Sequence, residues 1–341
     1  GATVMTVYYL GQFPPPYGGV TVKNALLCEE LSKHVAIEVL SFRETSLVHI
    51  LRKVLLSRAE DVFVVGFGNK DLRRRFVKVL GTVRPAVLGR MLLIGMGGRL
   101  GHELEEDAFY ARCCARMRAV CLETEGMVAA AHRAAVRNAV VLRNCRPRPE
   151  SCSCAVSRER SEPLRAVFLS RVSTEKGADI VLETARLVPG VEFDIYGPVD
   201  DAYAESFKTQ MESLSNVRYC GVFDNATGDI ICELAQYDVH LFPSRWPYEG
   251  VPGVLVETKM AAVPSIVSDA CYNAEIVVDG LSGILVSEDC TEAWARELRA
   301  LDDDRPKLDR LKRGAYESAE EYYTDACIGV LLEVLNGGSV S

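Results

Sequence analysis

The sequence predicts an α/β protein built from two parallel-sheet domains, and three observations carry that expectation. Short β-rich runs recur with stretches of helical apolar period between most of them. The rhythm stops in an Arg/Pro/Ser/Cys-rich stretch, Arg143 to Pro163, and then restarts. The 341 residues also exceed what one core usually holds, at roughly 100–200 residues per domain.

In chain order the expected strands of the first domain are Val4–Leu10, Val35–Phe42, Asp61–Gly66, Leu88–Gly95, Ala119–Glu123 and Ala139–Arg143. Those of the second are Ala166–Ser170, Glu192–Tyr196, Val217–Cys220, Asp238–Phe242, Ser265–Ser268 and Gly283–Val286. The first domain is expected over residues 1–158 and the second over 159–315, with a C-terminal helix of about 316–341 packing back onto the first. Open parallel sheets bind ligands beyond the carboxyl ends of their strands, so two such domains facing each other form a cleft, and functional residues should follow strands.

With 48% hydrophobic, 8% aromatic and 25% charged residues and 14 prolines, the composition is ordinary for a globular protein and excludes a disordered, collagenous or coiled-coil chain. No apolar run approaches the roughly 20 residues that cross a bilayer, and the opening Gly1-Ala2-Thr3-Val4-Met5 lacks a basic n-region followed by an apolar one. The expectation is a cytoplasmic chain that neither spans a membrane nor is exported. The twelve cysteines are scattered through apolar segments, which suits a reducing compartment, and the pairs Cys113/Cys114 and Cys152/Cys154 lack C-x-x-C spacing. No metal site is expected.

The net charge of −8 hides an asymmetry. Up to Arg160 there are 24 basic against 15 acidic residues, a net of +9, and after it 15 against 32, a net of −17. The first half is suited to an anionic partner, a phosphate-bearing acceptor or a phospholipid surface on the inner face of the membrane, through Arg52-Lys53 to Arg58 and Arg73-Arg74-Arg75 with Lys78. The bland reading is two outer helices with solvated basic faces. Nucleic acid is disfavoured, because aromatic residues do not alternate with the basic clusters as a stacking platform requires.

Two glycine-rich segments, Gly66 to Asp71 and Gly95 to Gly101, fall short of a dinucleotide fingerprint: the third glycine is Asp71 in the first and stands one residue late in the second. More suggestive is Gln12-Phe-Pro-Pro-Pro-Tyr-Gly18-Gly19-Val20, ahead of a helical stretch from Thr21 to Ser32. There Gly18 and Gly19 let backbone approach a ligand, and Lys23 on the first turn would oppose the helix dipole unless a phosphate neutralised it.

The second half carries the strongest pattern. Arg171-Val-Ser-Thr-Glu-Lys176-Gly177 follows a strand and opens a helix over Ala178 to Leu187, so two cations stand where the dipole is already positive. Folding alone disfavours that arrangement, whereas a diphosphate held by an Arg fork, a Lys charge and helix N–H groups favours it. Further on, Arg245-Trp-Pro-Tyr-Glu249-Gly250-Val251-Pro252-Gly253-Val254-Leu-Val-Glu257 follows another strand, with Pro252 suited to the first helical turn. Glu249 in the loop and Glu257 inside the helix would face different parts of one ligand and accept hydrogen bonds from its hydroxyls, sugar and ribose being the obvious donors.

Arg171 with Lys176-Gly177, Tyr196-Gly197-Pro198, Gly221-Val222-Phe223 and the two glutamates eight positions apart, Glu249 and Glu257, together resemble the retaining nucleotide-sugar glycosyltransferases of the GT-B fold, family four, group 1. Ser268-Asp-Ala-Cys-Tyr272-Asn273-Ala-Glu275-Ile276 is similar to the branch that makes capsule and other surface polysaccharides. The similarity runs from Gly11 to about Val286 and is stronger from Arg171 onward. It implies a GT-B fold of two Rossmann-like domains and transfer of a sugar from a UDP- or GDP-linked donor, with no further cofactor, to a saccharide or lipid-linked acceptor.

Residue by residue, the resemblance gives Arg171 and Lys176 the donor diphosphate, Glu249 the donor sugar and Glu257 the ribose. Gly250, Val251, Pro252, Gly253 and Val254 would line the donor site, with Gly197, and the backbone at Val222 and Phe223 would border the base. Gly18, Gly19, Lys23 and Arg99 would form the acceptor and phosphate loop. The departures are the stretch Gly95 to Gly101 where relatives carry a His, with His102 too late to match, Ala262 for a common Gly, and Gly253 for a common Asn. Charge growing on the departing diphosphate would be stabilised by Arg171, Lys176 and the helix start. Asp302-Asp303-Asp304 reads as a solvated helix end rather than the metal-binding D-x-D of another fold. The alternatives are a sugar-nucleotide epimerase or phosphorylase, which shares the two-domain scaffold but explains this motif set less well, and a non-catalytic sugar-nucleotide-binding partner that keeps the fold without the chemistry, against which stand Arg171, Lys176, Glu249 and Glu257, all present.

Overall fold

The computed structural model describes residues 6–149, 162–225, 227–287 and 290–338. The expected boundary at 158/159, the Cys152/Cys154 pair, most of the Arg/Pro/Ser/Cys-rich stretch and the opening pentapeptide lie outside the described residues. The chain forms two units: Gly1–Arg148 with Tyr248–Val251 and Glu321–Ser341, and Pro149–Pro247 with Pro252–Glu320.

The first unit runs β1 (Val7–Gly11), α1 (Gly19–Ser32), β2 (Ile37–Ser41), α2 (Leu47–Leu55), β3 (Val62–Gly66), α3 (Lys70–Val83), β4 (Met91–Ile94), α4 (Leu100–Glu106), α5 (Ala108–Cys114), β5 (Ala119–Leu122), α6 (Glu125–Arg133) and β6 (Ala139–Val141). Its sheet is parallel in the order β2-β1-β3-β4-β5-β6. The second unit runs β7 (Arg165–Leu169), α7 (Ala178–Leu187), β8 (Glu192–Tyr196), α8 (Ala204–Glu212), β9 (Val217–Gly221), α9 (Ile230–Leu234), β10 (Val239–Phe242), α10 (Gly253–Met260), β11 (Ser265–Ser268), α11 (Asn273–Ile276), β12 (Gly283–Val286), α12 (Thr291–Asp303) and α13 (Arg305–Glu317). Its sheet is parallel in the order β12-β11-β10-β7-β8-β9, and α14 (Thr324–Leu335) returns to the first unit.

Parallel strands covered on both faces read as continuous apolar runs, and β1, β3 and β7 do so. Alternate residues serve opposite faces: Ala166 and Phe168 join Val181 and Leu182 of α7 and Trp294 and Leu298 of α12, whereas Val167 packs with Leu234, Tyr237 and Val263. In the first unit Val7, Tyr9 and Val64 pack with Leu27 and Leu31 of α1 and Leu331 and Val334 of α14. Helix starts are fastened by side chains that accept backbone N–H bonds, Ser46 from His49, Asn69 from Leu72, Asp107 from Tyr110 and Thr124 from Met127.

Three expectations need correction. The run Leu88–Gly95 is not one strand, because Pro85–Arg90 forms a 3-10 turn and only Met91–Ile94 pairs; Pro85 supplies the fixed φ that starts such a turn. Pro252 precedes α10 with extended backbone and is not within its first turn. The basic stretch from Arg73 is not uniformly solvated, since Arg73 is 1% exposed and its Nη2 donates to Glu103 at 2.7 Å. The inward row of α3 is Arg73, Phe76, Val77 and Leu80, so helical geometry puts the guanidinium in the core, where a carboxylate pairs with it.

Candidate functional site

In the second sheet the chain's direction of winding reverses between β7 and β10, the position where open α/β sheets hold ligands. The loop after β7 carries Arg171, exposed and without an ion pair among the described residues. Two glycines draw neighbouring loops onto it. Gly197 has φ +135° and its N–H donates to the Gly221 carbonyl at 2.8 Å; a Cβ there would lie 1.8 Å from the Ser170 oxygen. Gly177 has φ +77°, and its Cβ would meet the Pro243 oxygen at 2.2 Å. Only glycine accepts such conformations at such distances.

The same loop is braced by Val172, whose N–H donates to the Pro198 carbonyl at 2.9 Å, and by Ser173, whose hydroxyl accepts the Lys176 N–H at 3.3 Å. Lys176 is therefore at the entrance of α7. Arg245, the first residue after Ser244, donates its N–H to the Glu175 carbonyl at 2.8 Å and pairs with Asp179 of α7 at 2.9 Å. Sequence reasoning quoted Arg245 but gave it no role; its position three residues beyond β10 was the available signal. Val222 is exposed, and the Phe223 ring stands 6.5 Å from that of Tyr196. Glu257 is the fifth residue of α10 and half-buried, behind Gly253 and Val254.

Beneath this loop region Asp194 joins β8 to its neighbours. Burial raises its carboxyl, but hydrogen bonds from Arg218, Tyr237 and Arg165 outweigh that and hold it below the usual range. On β10, His240 is wholly buried, and desolvation pushes its imidazole down to about 3. Both groups support the sheet.

The remaining candidates belong to the first unit, including Glu249, Gly250 and Val251. Gly18 and Gly19 lie at the start of α1 and are exposed, and a Cβ added at either would meet nothing within 4 Å. Lys23 does not serve that loop. Since α1 begins at Gly19, Lys23 is its fifth residue; it is 2% exposed, and its Nζ donates to Glu123 at 2.6 Å and to the Gly95 carbonyl at 3.0 Å. The cation's partner is a carboxylate of the core, so the expected phosphate role is corrected. Arg99 lies over the Tyr248 ring at 3.9 Å, and His102 of α4 meets the same ring edge-on at 5.8 Å.

Sequence reasoning missed Glu123, Asn144 and Asn24. Glu123 directly follows β5, a strand-end position that was the available signal. Its Oε2 accepts the Val251 N–H at 2.8 Å, and Asn144 donates to the Val251 carbonyl at 2.8 Å. Asn24 donates to the Gln12 and Gly66 carbonyls at 3.0 and 2.8 Å, holding the ends of β1 and β3. Among the described residues no three His, Cys, Asp or Glu side chains form a metal-ligating group, and no helix is long and apolar enough to cross a membrane.

Residues 155–318 match the model of a family described as Glycosyl transferases group 1. A 41.2 kDa protein of the cps region of Klebsiella pneumoniae is 31% identical over 136 residues, 39% of this chain and 36% of that protein. The Vi polysaccharide biosynthesis protein VipC/TviE of Salmonella typhi is 32% identical over 101 residues, 29% of this chain and 16% of that protein. The chain thus spans about a third or less of the length of these curated relatives. Anabaena Alr3699/HepE, solved in complex with UDP, superposes with a TM-score of 0.76 at 16% identity, covering 97% of this chain and 100% of that one. The fold is GT-B, two Rossmann-like units each with a six-stranded parallel sheet.

Proposed function

We propose, from the premise that the second unit is a group 1 glycosyltransferase domain, that the chain is a retaining glycosyltransferase of surface-polysaccharide or glycolipid synthesis. It moves a sugar from a UDP- or GDP-linked donor to a saccharide or lipid-linked acceptor. The observation that carries this reading is Arg171: an exposed residue without an ion pair among the described residues, just beyond β7, one of the two central strands of its sheet, in the loop that also carries Lys176 to the start of α7. Such a set suits a diphosphate, with Arg as a planar fork, Lys as a point charge and the helix start as N–H donors.

In this reading Arg171 and Lys176 bind the diphosphate and stabilise the charge that grows on it as the glycosidic bond breaks. Glu257 accepts hydrogen bonds from the ribose and Glu249 from the donor sugar, while Val222 and Phe223 border the base. The backbone from Gly250 to Val254 lines the donor, Gly197 lets the β8 loop approach it, and Gly18, Gly19 and Arg99 face the acceptor. Retention follows if the acceptor attacks from the face the diphosphate leaves, a departing phosphate oxygen taking the acceptor's proton. UDP-bound HepE supports a uridine donor.

A specific surface favours an acceptor at an anionic membrane on the cytoplasmic side. Val48 and Leu56 are 76% and 71% exposed at the two ends of α2, beside the exposed Arg52 and Arg58. Arg84 donates to the Leu55 carbonyl at 2.7 Å, which brings the end of α3, with Val83 64% exposed, to the same place. Exposed apolar groups with cations beside them suit a headgroup layer.

Ligand-observed NMR against UDP- and GDP-linked sugars, followed by assignment of the product anomer, tests the reading. An α-linked donor should be consumed to an α-linked product. Binding without consumption would point to a non-catalytic partner, and an inverted product would exclude retention.

A further inference from the structure

The four residues Tyr248–Val251, which belong to the first unit, are fastened there on both sides of Glu249. The Tyr248 carbonyl accepts the Gly98 N–H at 3.2 Å. The Val251 N–H donates to Glu123 Oε2 at 2.8 Å, and its carbonyl accepts from Asn144 at 2.8 Å. Both backbone groups of Val251 are thus held by buried side chains, Glu123 being 4% and Asn144 5% exposed.

The holding carboxylate is itself held, because Lys23 Nζ donates to Glu123 Oε1 at 2.6 Å. The approach is close. A Cβ at Gly98 would lie 2.3 Å from the Glu249 oxygen, and one at Gly250 would lie 2.7 Å from Glu123 Oε2 and 2.8 Å from Gly97 Cα. A buried ion pair is a poor means of stabilising a core, since apolar residues of similar volume commonly do as well. What an apolar pair could not do is accept the Val251 N–H.

We propose that Glu123 and Asn144 are positioning residues: by holding both backbone groups of Val251 they set where the carboxylate of Glu249 meets the donor sugar, while Lys23 only balances the charge of Glu123. The inference rests on the role assigned to Glu249 above. Neither Lys23 nor Glu123 need touch the substrate.

Two doubly substituted chains of matched size isolate the bond. In K23M/E123Q both charges are gone but the Gln oxygen still accepts the Val251 N–H; in K23M/E123L nothing accepts it. Amide hydrogen exchange over 248–251, release of nucleoside diphosphate from UDP-glucose or GDP-mannose, and binding of free UDP or GDP are measured for each. K23M/E123Q should stay within about threefold of wild type in all three. K23M/E123L should exchange and turn over at least about tenfold differently from wild type, exchange faster and turnover slower, with nucleoside diphosphate affinity within about threefold. Equal exchange in the two variants, or unequal exchange with equal turnover, would overturn the positioning role. A wild-type chain that consumes neither donor would instead overturn the proposed function and, with it, the role of Glu249.

Discussion

Arg73 Nη2 stands 2.7 Å from Glu103 Oε2, and these side chains are only 2% and 5% exposed. The pair joins α3 to α4 inside the first unit. Removing one partner leaves an uncompensated buried charge, so Arg73→Met should destabilise this unit by about 3–5 kcal/mol, while the double variant R73M/E103L should recover much of that. Arg75→Glu, on the exposed side of the same helix, should stay within about 0.5 kcal/mol. Thermal unfolding of the three variants checks the ranking, and equal losses in R73M and R75E would contradict it.

Membrane contact is expected through Arg52 and Arg58 rather than through Arg73. The wild-type chain should sediment with anionic but not neutral liposomes at low salt and be released by salt, since the Debye length is about 8 Å at physiological ionic strength. Arg52→Glu with Arg58→Glu should keep it in the supernatant. Wild-type chain remaining in solution with anionic liposomes would leave α2 a merely solvated face.

Buried His240 gives the second unit a pH dependence. Its imidazole is pushed down to about 3 from an ordinary 6.5, so between those values the unfolded chain holds a proton that the folded chain does not. Its contribution to stability is complete above 6.5 and is lost as pH falls toward 3. From pH 7 to pH 5 the loss should be about 2 kcal/mol, and His240→Gln should abolish it. Both tryptophans, Trp246 and Trp294, lie in the second unit, so denaturation followed by their fluorescence reports the right transition. A wild type with the same midpoint at both pH values would refute the assignment.

The two glutamates should separate by ligand. Glu257→Gln is expected to weaken free nucleoside diphosphate as well as nucleotide sugar, because the ribose contact proposed for it would be common to both. Glu249→Gln is expected to spare the former. Calorimetric titration of each variant with both ligands decides it, and parallel losses would remove the division of labour.

Much of this was legible in the sequence because it is local. The strands Glu192–Tyr196, Ser265–Ser268 and Gly283–Val286 and the helix Ala178–Leu187 are found as expected, since apolar period and flanking glycines are short-range signals. What escaped is tertiary. Lys23 and Glu123 are a hundred residues apart, and nothing local says that a cation early in α1 meets a carboxylate after β5. Arg73 escaped because periodicity counts apolar residues, so a buried guanidinium in the inward row reads as one more solvated charge.

The central claim is a nucleoside-diphosphate-sugar site built around Arg171, and its most direct test is release of nucleoside diphosphate from UDP-glucose and GDP-mannose by the wild-type chain, Arg171→Ala and Lys176→Ala. A charged hydrogen bond contributes about 1.5–3 kcal/mol, so each substitution should slow release by well over about tenfold. Release at the wild-type rate by both variants would contradict the account.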